Sequence, residues 1–267
     1  MTRIYREMWE ESASLPMENF RSETKKKFFG KITVHTGTDL QADKTYVTVS
    51  SGVELFDNPE QKDNVTTEIV NSLRVFRKKY ALTPESKILA VGLGNDKITA
   101  DSLGSRVVDK LFVTSHLMRE MGTRVRYGNL CAVKPSVSGV TGIESFDMIS
   151  AAARTVKPDL IVAIDTLSCG KSERLGRTIQ MTDNGIEPGA GVDNAKKKLS
   201  FETLKTPVLA IGVPFVIYVR TILSESGITK ADPALSSLVV TAKDIDFLIE
   251  DYSDVIARAI NKWVHET

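Results

Sequence analysis

The chain has 267 residues, 42% of them hydrophobic, which is enough to bury a sizeable core and is the composition of an ordinary globular protein rather than a disordered one. Lys+Arg 35 against Asp+Glu 34 leaves a formal net charge of +1, so no global field directs the chain to nucleic acid or to an anionic membrane surface. Cys131 and Cys169 are too few for a disulfide framework, no apolar run approaches the length of a bilayer span, and the N-terminus lacks a signal-peptide core, so a cytoplasmic location with reduced thiols is expected.

Residues 1–40 read as an N-terminal arm. Met8, Trp9, Leu15, Met17 and Phe20 are scattered in a charged background, and Lys25-Lys26-Lys27 reads as a solvated face. Residues 41–267 read as one α/β catalytic domain. Thr45 to Val49 alternates β-branched and aromatic residues and predicts a strand. After Asp57-Asn58-Pro59 a helix is predicted from about Glu60, with Val65, Ile69, Leu73 and Phe76 on one face and Arg77-Lys78-Lys79 where cations suit the dipole. Lys87 to Gly92 is a core strand, residues 93–99 a loop, and Asp101 opens a helix carrying Leu103, Val107, Leu111 and Val113. A strand at Leu130 to Val133, a glycine-bearing loop at Gly139 to Glu144 and a helix at about 144–155 follow. Strands are then expected at Leu160 to Asp165, Arg177 to Met181 and Pro207 to Val213, and helices at about 215–225 and 241–263. Asp183 to Val192 is dense in turn residues and is expected to border a cleft.

The stretch Leu160-Ile161-Val162-Ala163-Ile164-Asp165 organises the rest. Five apolar residues follow a turn at Lys157-Pro158-Asp159 and stop at a carboxylate. A continuous apolar run is covered on both faces, as in a parallel sheet flanked by helices, and ligands of such sheets bind outside the carboxyl ends of the strands. Ile88 to Gly92 has the same grammar, with Asp101 after it. The expected fold is therefore an α/β/α sandwich with a mainly parallel sheet that delivers Asp101 and Asp165 to one edge. Two nearby carboxylates cannot both ionise cheaply; one holds a proton while the other takes one from water, which is amide hydrolysis by general acid and base. Contacts to the substrate are assigned to Gly92, Gly94 and Asn95 in the first loop, Gly142 and Glu144 in the second, and Asp183, Gly189 and Gly191 in the third.

Other chemistries fit less well. Gly92-x-Gly94 would begin a dinucleotide fingerprint, but Lys97 stands where its third glycine belongs. His35, His116 and His265 have no metal-site spacing, and no metal or other cofactor is expected. No Gly-x-Ser-x-Gly elbow supports a serine triad, and Cys169 has no histidine near it in sequence to activate it.

Several stretches, in order, resemble the germination protease family of spore-forming bacteria. They are Val91-Gly92-Leu93-Gly94-Asn95, Asp101 through Val108, Val113-Thr114-Ser115-His116-Leu117, Gly139-Val140-Thr141-Gly142-Ile143-Glu144, Lys157 through Asp165, Thr178-Ile179-Gln180, Asp183 through Asn194 and Pro207 through Pro214. The resemblance implies an atypical aspartic-type endopeptidase that degrades small acid-soluble spore proteins at germination, in the forespore or spore core. It implies catalytic roles for Asp101 and Asp165 and a fold similar to that of the hydrogenase maturation peptidases. It further implies a homotetramer made as an inactive precursor, with neither nucleic acid nor membrane as a direct partner. Two other readings stay open: a metal-dependent peptidase using the same carboxylates, and a non-catalytic sporulation protein on the same scaffold.

Overall fold

The structure, a computed structural model, describes residues 20–121, 126–189, 197–228 and 232–265. Its strands are β1 (Phe20–Lys27), β2 (Ile32–Asp39), β3 (Lys44–Ser51), β4 (Lys87–Gly92), β5 (Asn129–Val133), β6 (Leu160–Ser168), β7 (Thr178–Thr182), β8 (Val208–Tyr218) and β9 (Val239–Thr241). Its helices are α1 (Pro59–Lys79), α2 (Leu103–Asp109), α3 (Ser115–Met121), α4 (Ser138–Thr141), α5 (Ser145–Val156), α6 (Phe201–Leu204), α7 (Val219–Glu225), α8 (Pro233–Ser236) and α9 (Ile245–His265).

The strands form one sheet in the order β1-β2-β3-β7-β8-β6-β4-β5, with β9 attached to β8. The apolar runs explain its centre. Leu160 to Ile164 and Leu209 to Ile211 are fully buried, and the side chains of each strand alternate between two cores. Ile88, Ala90, Leu160, Val162 and Ile164 face α1, α2 and α9, whose Ile69, Leu73, Phe76, Leu103, Val107, Val255, Ile256 and Ile260 complete that core. Leu89, Val91, Ile161, Ala163 and Ala210 face the other way, against Ile149 and Ala153 of α5 and against Ile186 and Leu199. Helices thus lie on both faces of the β4–β6–β8 region. No helix among the described residues is long and apolar enough to cross a membrane.

The expectation of a mainly parallel sheet is corrected. Only β5, β4, β6 and β8 run parallel; β1, β2, β3 and β7 pair antiparallel, and β7 and β9 meet β8 antiparallel. The physical reason lies in the meander β1-β2-β3, whose consecutive strands are joined by short turns and need no crossover connection. Residues 20–39, read from sequence as part of an arm, are strands of this meander. β1 has no buried residue and is held by its pairing with β2.

Other boundaries also move. β6 continues three residues beyond Asp165, and β8 continues through Phe215 to Tyr218 where a helix was expected. α2 ends at Asp109, so Leu111 and Val113 follow it rather than belong to it. The start of α1 lies where its signals put it: the Asn58 side chain accepts the Gln61 backbone N–H at 3.1 Å, and Pro59 occupies the first turn.

Candidate active site

The sheet register brings the two carboxylates to one place. Gly92, the last residue of β4, is level with Ile164 of β6. Leu93 donates its backbone N–H to Ile164 O at 2.8 Å, so the chain leaves β4 beside Asp165. It returns through a 3-10 turn at Thr99–Asp101, and the backbone N–H of Asn95 donates to Asp101 Oδ2 at 2.8 Å. Asp101 therefore sits in the turn ahead of α2, not inside the helix.

Two glycines make this return possible. Gly94 has φ +92°, and a Cβ on it would lie 2.1 Å from the Asp101 carbonyl oxygen. Gly104 brings α2 down onto the crossing of β4 and β6: a Cβ there would stand 2.5 Å from Ile164 O and 2.5 Å from both Leu93 N and Leu93 O. Gly92 lies directly beneath, where a Cβ would meet Gly104 O at 2.3 Å. Gly92 thus serves the close approach of α2 rather than the cleft wall.

Asp101 and Asp165 line one cleft of about 630 Å³. Asp165 is only 6% exposed, and its Oδ1 accepts the Thr166 backbone N–H at 2.9 Å. Burial pushes the Asp101 carboxyl above its ordinary value, and the Asn95 N–H opposes this in part. Gly94, Asn95 and Gly189 line the same cleft, as do Asn184 through Pro188 of the turn-rich loop. Gly139 of α4 and Ser145, the first residue of α5, line it too, so the stretch read as a loop at Gly139 to Glu144 begins in a short helix, while Gly142 and Glu144 are exposed and outside the lining. Gly191 lies outside the described residues. Sequence reasoning did not include Ile98, Thr166 to Ser168, Val216 or the whole of β9, all of which form cleft wall. The β-branched run Val239-Val240-Thr241 was the available signal for β9.

Asp183 has a different place from the one expected. Its side chain is fully buried and turned away from the cleft lining. It accepts the Thr45 backbone N–H at 2.7 Å and the Tyr80 hydroxyl at 2.8 Å, and Lys79 Nζ stands 2.8 Å from Oδ2. This cluster ties β3 and the end of α1 to the chain leaving β7. Removing one partner of a buried ion pair costs about 3–5 kcal/mol, because the other charge is left uncompensated. Lys79 can fall back on Asp43, 3.3 Å away, so Asp183→Ala is expected to cost about 3 kcal/mol, at the low end of that range. Urea denaturation checks this; an unchanged midpoint would remove the structural role.

A mixed α/β sheet carrying Asp101 and Asp165 in a cleft beside the carboxyl ends of its parallel strands defines the class of architecture. A family model described as germination protease matches residues 21–230, and the chain belongs to that family. It is similar to a germination protease of Clostridium acetobutylicum, with 34% identity over 253 residues, 81% of this chain and 77% of that protein. It is similar to those of Oceanobacillus iheyensis, 42% identical over 185 residues, and Priestia megaterium, 40% identical over 184 residues. Each of these two matches covers 68% of this chain and 50% of the relative, so the chain spans about half the length of some curated relatives it matches.

Proposed function

We propose that the chain is an endopeptidase that degrades small acid-soluble spore proteins during germination, with Asp101 and Asp165 as a general acid/base pair. The observation that carries this reading is the placing of both carboxylates in one cleft, in a chain of the germination protease family. Asp165 takes a proton from a water molecule as its oxygen attacks the scissile carbonyl carbon. Asp101, whose burial favours its neutral form, donates a hydrogen bond to the carbonyl oxygen where negative charge develops. The departing amine then receives a proton from the pair. Gly94 contributes bare backbone to the substrate's approach, Asn95 lines it while its backbone N–H holds Asp101, and Gly189 borders it from the opposite loop. The same reading takes the helices on both faces of the sheet as an α/β/α architecture similar to the hydrogenase maturation peptidases. It places the protein in the forespore or spore core as a homotetramer made in an inactive precursor form.

The test is incubation of the purified protein with an α/β-type small acid-soluble spore protein, with and without chelator, across pH, with fragments read by mass spectrometry. A few defined fragments in both conditions are expected. Because burial raises the Asp101 pKa, kcat/KM is expected to fall as pH rises through that raised value, leaving the mildly acidic side more active than the alkaline side. Loss of cleavage on chelation would transfer the chemistry to a metal-dependent reading. Binding without cleavage at any pH, by the full chain and by an N-terminally trimmed form, would support the non-catalytic one. Among the described residues, no three His, Cys, Asp or Glu side chains gather in a group that could hold a metal ion.

A further inference from the structure

β9 pairs with β8 on one side, and no described strand covers its other side. The ladder fixes which backbone groups remain open. Leu238 O accepts from Val219 N at 2.9 Å, and the register Ile217↔Val240 makes Val240 the residue that turns its N–H and C=O to β8. Val239 and Thr241 then point theirs to the open side. Open edges are usually guarded by charge, proline or a bulge, and Leu238-Val239-Val240-Thr241 has no charge and no proline. Val239 and Val240 are 39% and 38% exposed, and Ile98, in the same cleft wall, is 54% exposed. An unguarded edge of this kind stands in the cleft that holds Asp101 and Asp165.

We propose that the open edge of β9 takes the backbone of the substrate, which adds to it as a further strand and is thereby carried past the two carboxylates. The inference rests on the peptidase reading and names its substrate class: an extended polypeptide segment with apolar side chains that reach Val240 and Ile98. Alternating donors and acceptors about 7 Å apart are matched by another peptide backbone and by little else. A helical segment has already spent these groups internally, so a substrate must be locally unfolded to be held.

Overlapping synthetic peptides covering a small acid-soluble spore protein are titrated by fluorescence anisotropy against the full chain carrying Asp165→Asn. The tightest binder is then remade with single N-methylated backbone amides. Strand addition predicts a period of two, with affinity lost roughly threefold to tenfold at every second position and little changed between. In the cleaving enzyme, Val239→Pro deletes an outward N–H while leaving the Val240 bonds to β8, and is expected to raise KM by a similar factor, more than it lowers kcat. Uniform losses, no losses, no peptide bound, or an unchanged KM in a folded Val239→Pro protein would each overturn the proposal. Alternating losses in binding with no cleavage by the wild-type chain would keep the edge and remove the peptidase reading instead.

Discussion

Asp165→Asn is expected to reduce cleavage of a spore protein about a thousandfold or more while the chain stays folded. General acid and base groups contribute about 10²–10⁴-fold, and an amide can neither take a proton from water nor return one. The substitution is isosteric, and the amide oxygen can still accept the Thr166 N–H that Asp165 Oδ1 accepts now. Asp101→Asn is expected to match it in activity but to differ in stability. The Asp101 carboxyl has a raised pKa in the folded chain, so its ionised form disfavours folding above that value. Asp101→Asn therefore gains thermal stability over wild type at neutral pH. The gain shrinks as pH falls through the raised pKa, and it is gone below the ordinary carboxylate value. Thermal melts across pH, read beside initial rates, separate the two effects. Wild-type rates in either variant would take that residue out of the chemistry.

Gly104→Ala is expected to damage both stability and activity without touching a carboxylate. Helix propensity alone would favour alanine by about 1 kcal/mol. The added methyl would stand 2.5 Å from three backbone atoms, those of Leu93 and Ile164, and backbone cannot swing aside as a side chain can. Overpacking in a tight core costs about 1–3 kcal/mol, and contact with backbone belongs at the upper end, so the clash wins by about 2 kcal/mol. For a chain of this size that is roughly 4–8 °C in Tm. The rate should fall as well, because lifting α2 lifts the turn that holds Asp101. A stable, fully active Gly104→Ala protein would mean that α2 is not seated as described.

The parallel half of the fold was legible because burial on both faces writes itself into sequence as an unbroken apolar run. Ile88 to Val91, Leu160 to Ile164 and Val208 to Val213 are such runs. Of the meander only β3 was legible, from the alternation at Thr45 to Val49, because a strand such as Phe20–Lys27 buries nothing and exists through its neighbour, leaving no local pattern to read. Strand ends were missed for a related reason. Thr166-Leu167-Ser168 alternates after the apolar run stops, so β6 changes character at Asp165 without ending there. In the site, the grammar of a strand closing on a loop pointed to Asp101 and Asp165. The turn residues likewise pointed to the loop whose Asn184 to Gly189 form cleft wall. Asp183 was misplaced since its partners, Thr45, Lys79 and Tyr80, are roughly a hundred residues away or more. β9 was hidden because Thr241 with Asp244 imitates a helix start, and α9 indeed begins at Ile245.

The insertion of β7 between β3 and β8 also sets a timetable for assembly on the ribosome. Tyr46 of β3 pairs with Thr182 of β7, so the first three strands must wait for roughly 130 more residues before their inner edge is covered. At the usual pace of synthesis that interval is on the order of ten seconds. Throughout it the nascent chain carries a bare β-branched edge, Tyr46-Val47-Thr48-Val49, open to neighbouring chains on the same message. Pairing across so long a loop is slow to nucleate, which lengthens the time that this edge stays open.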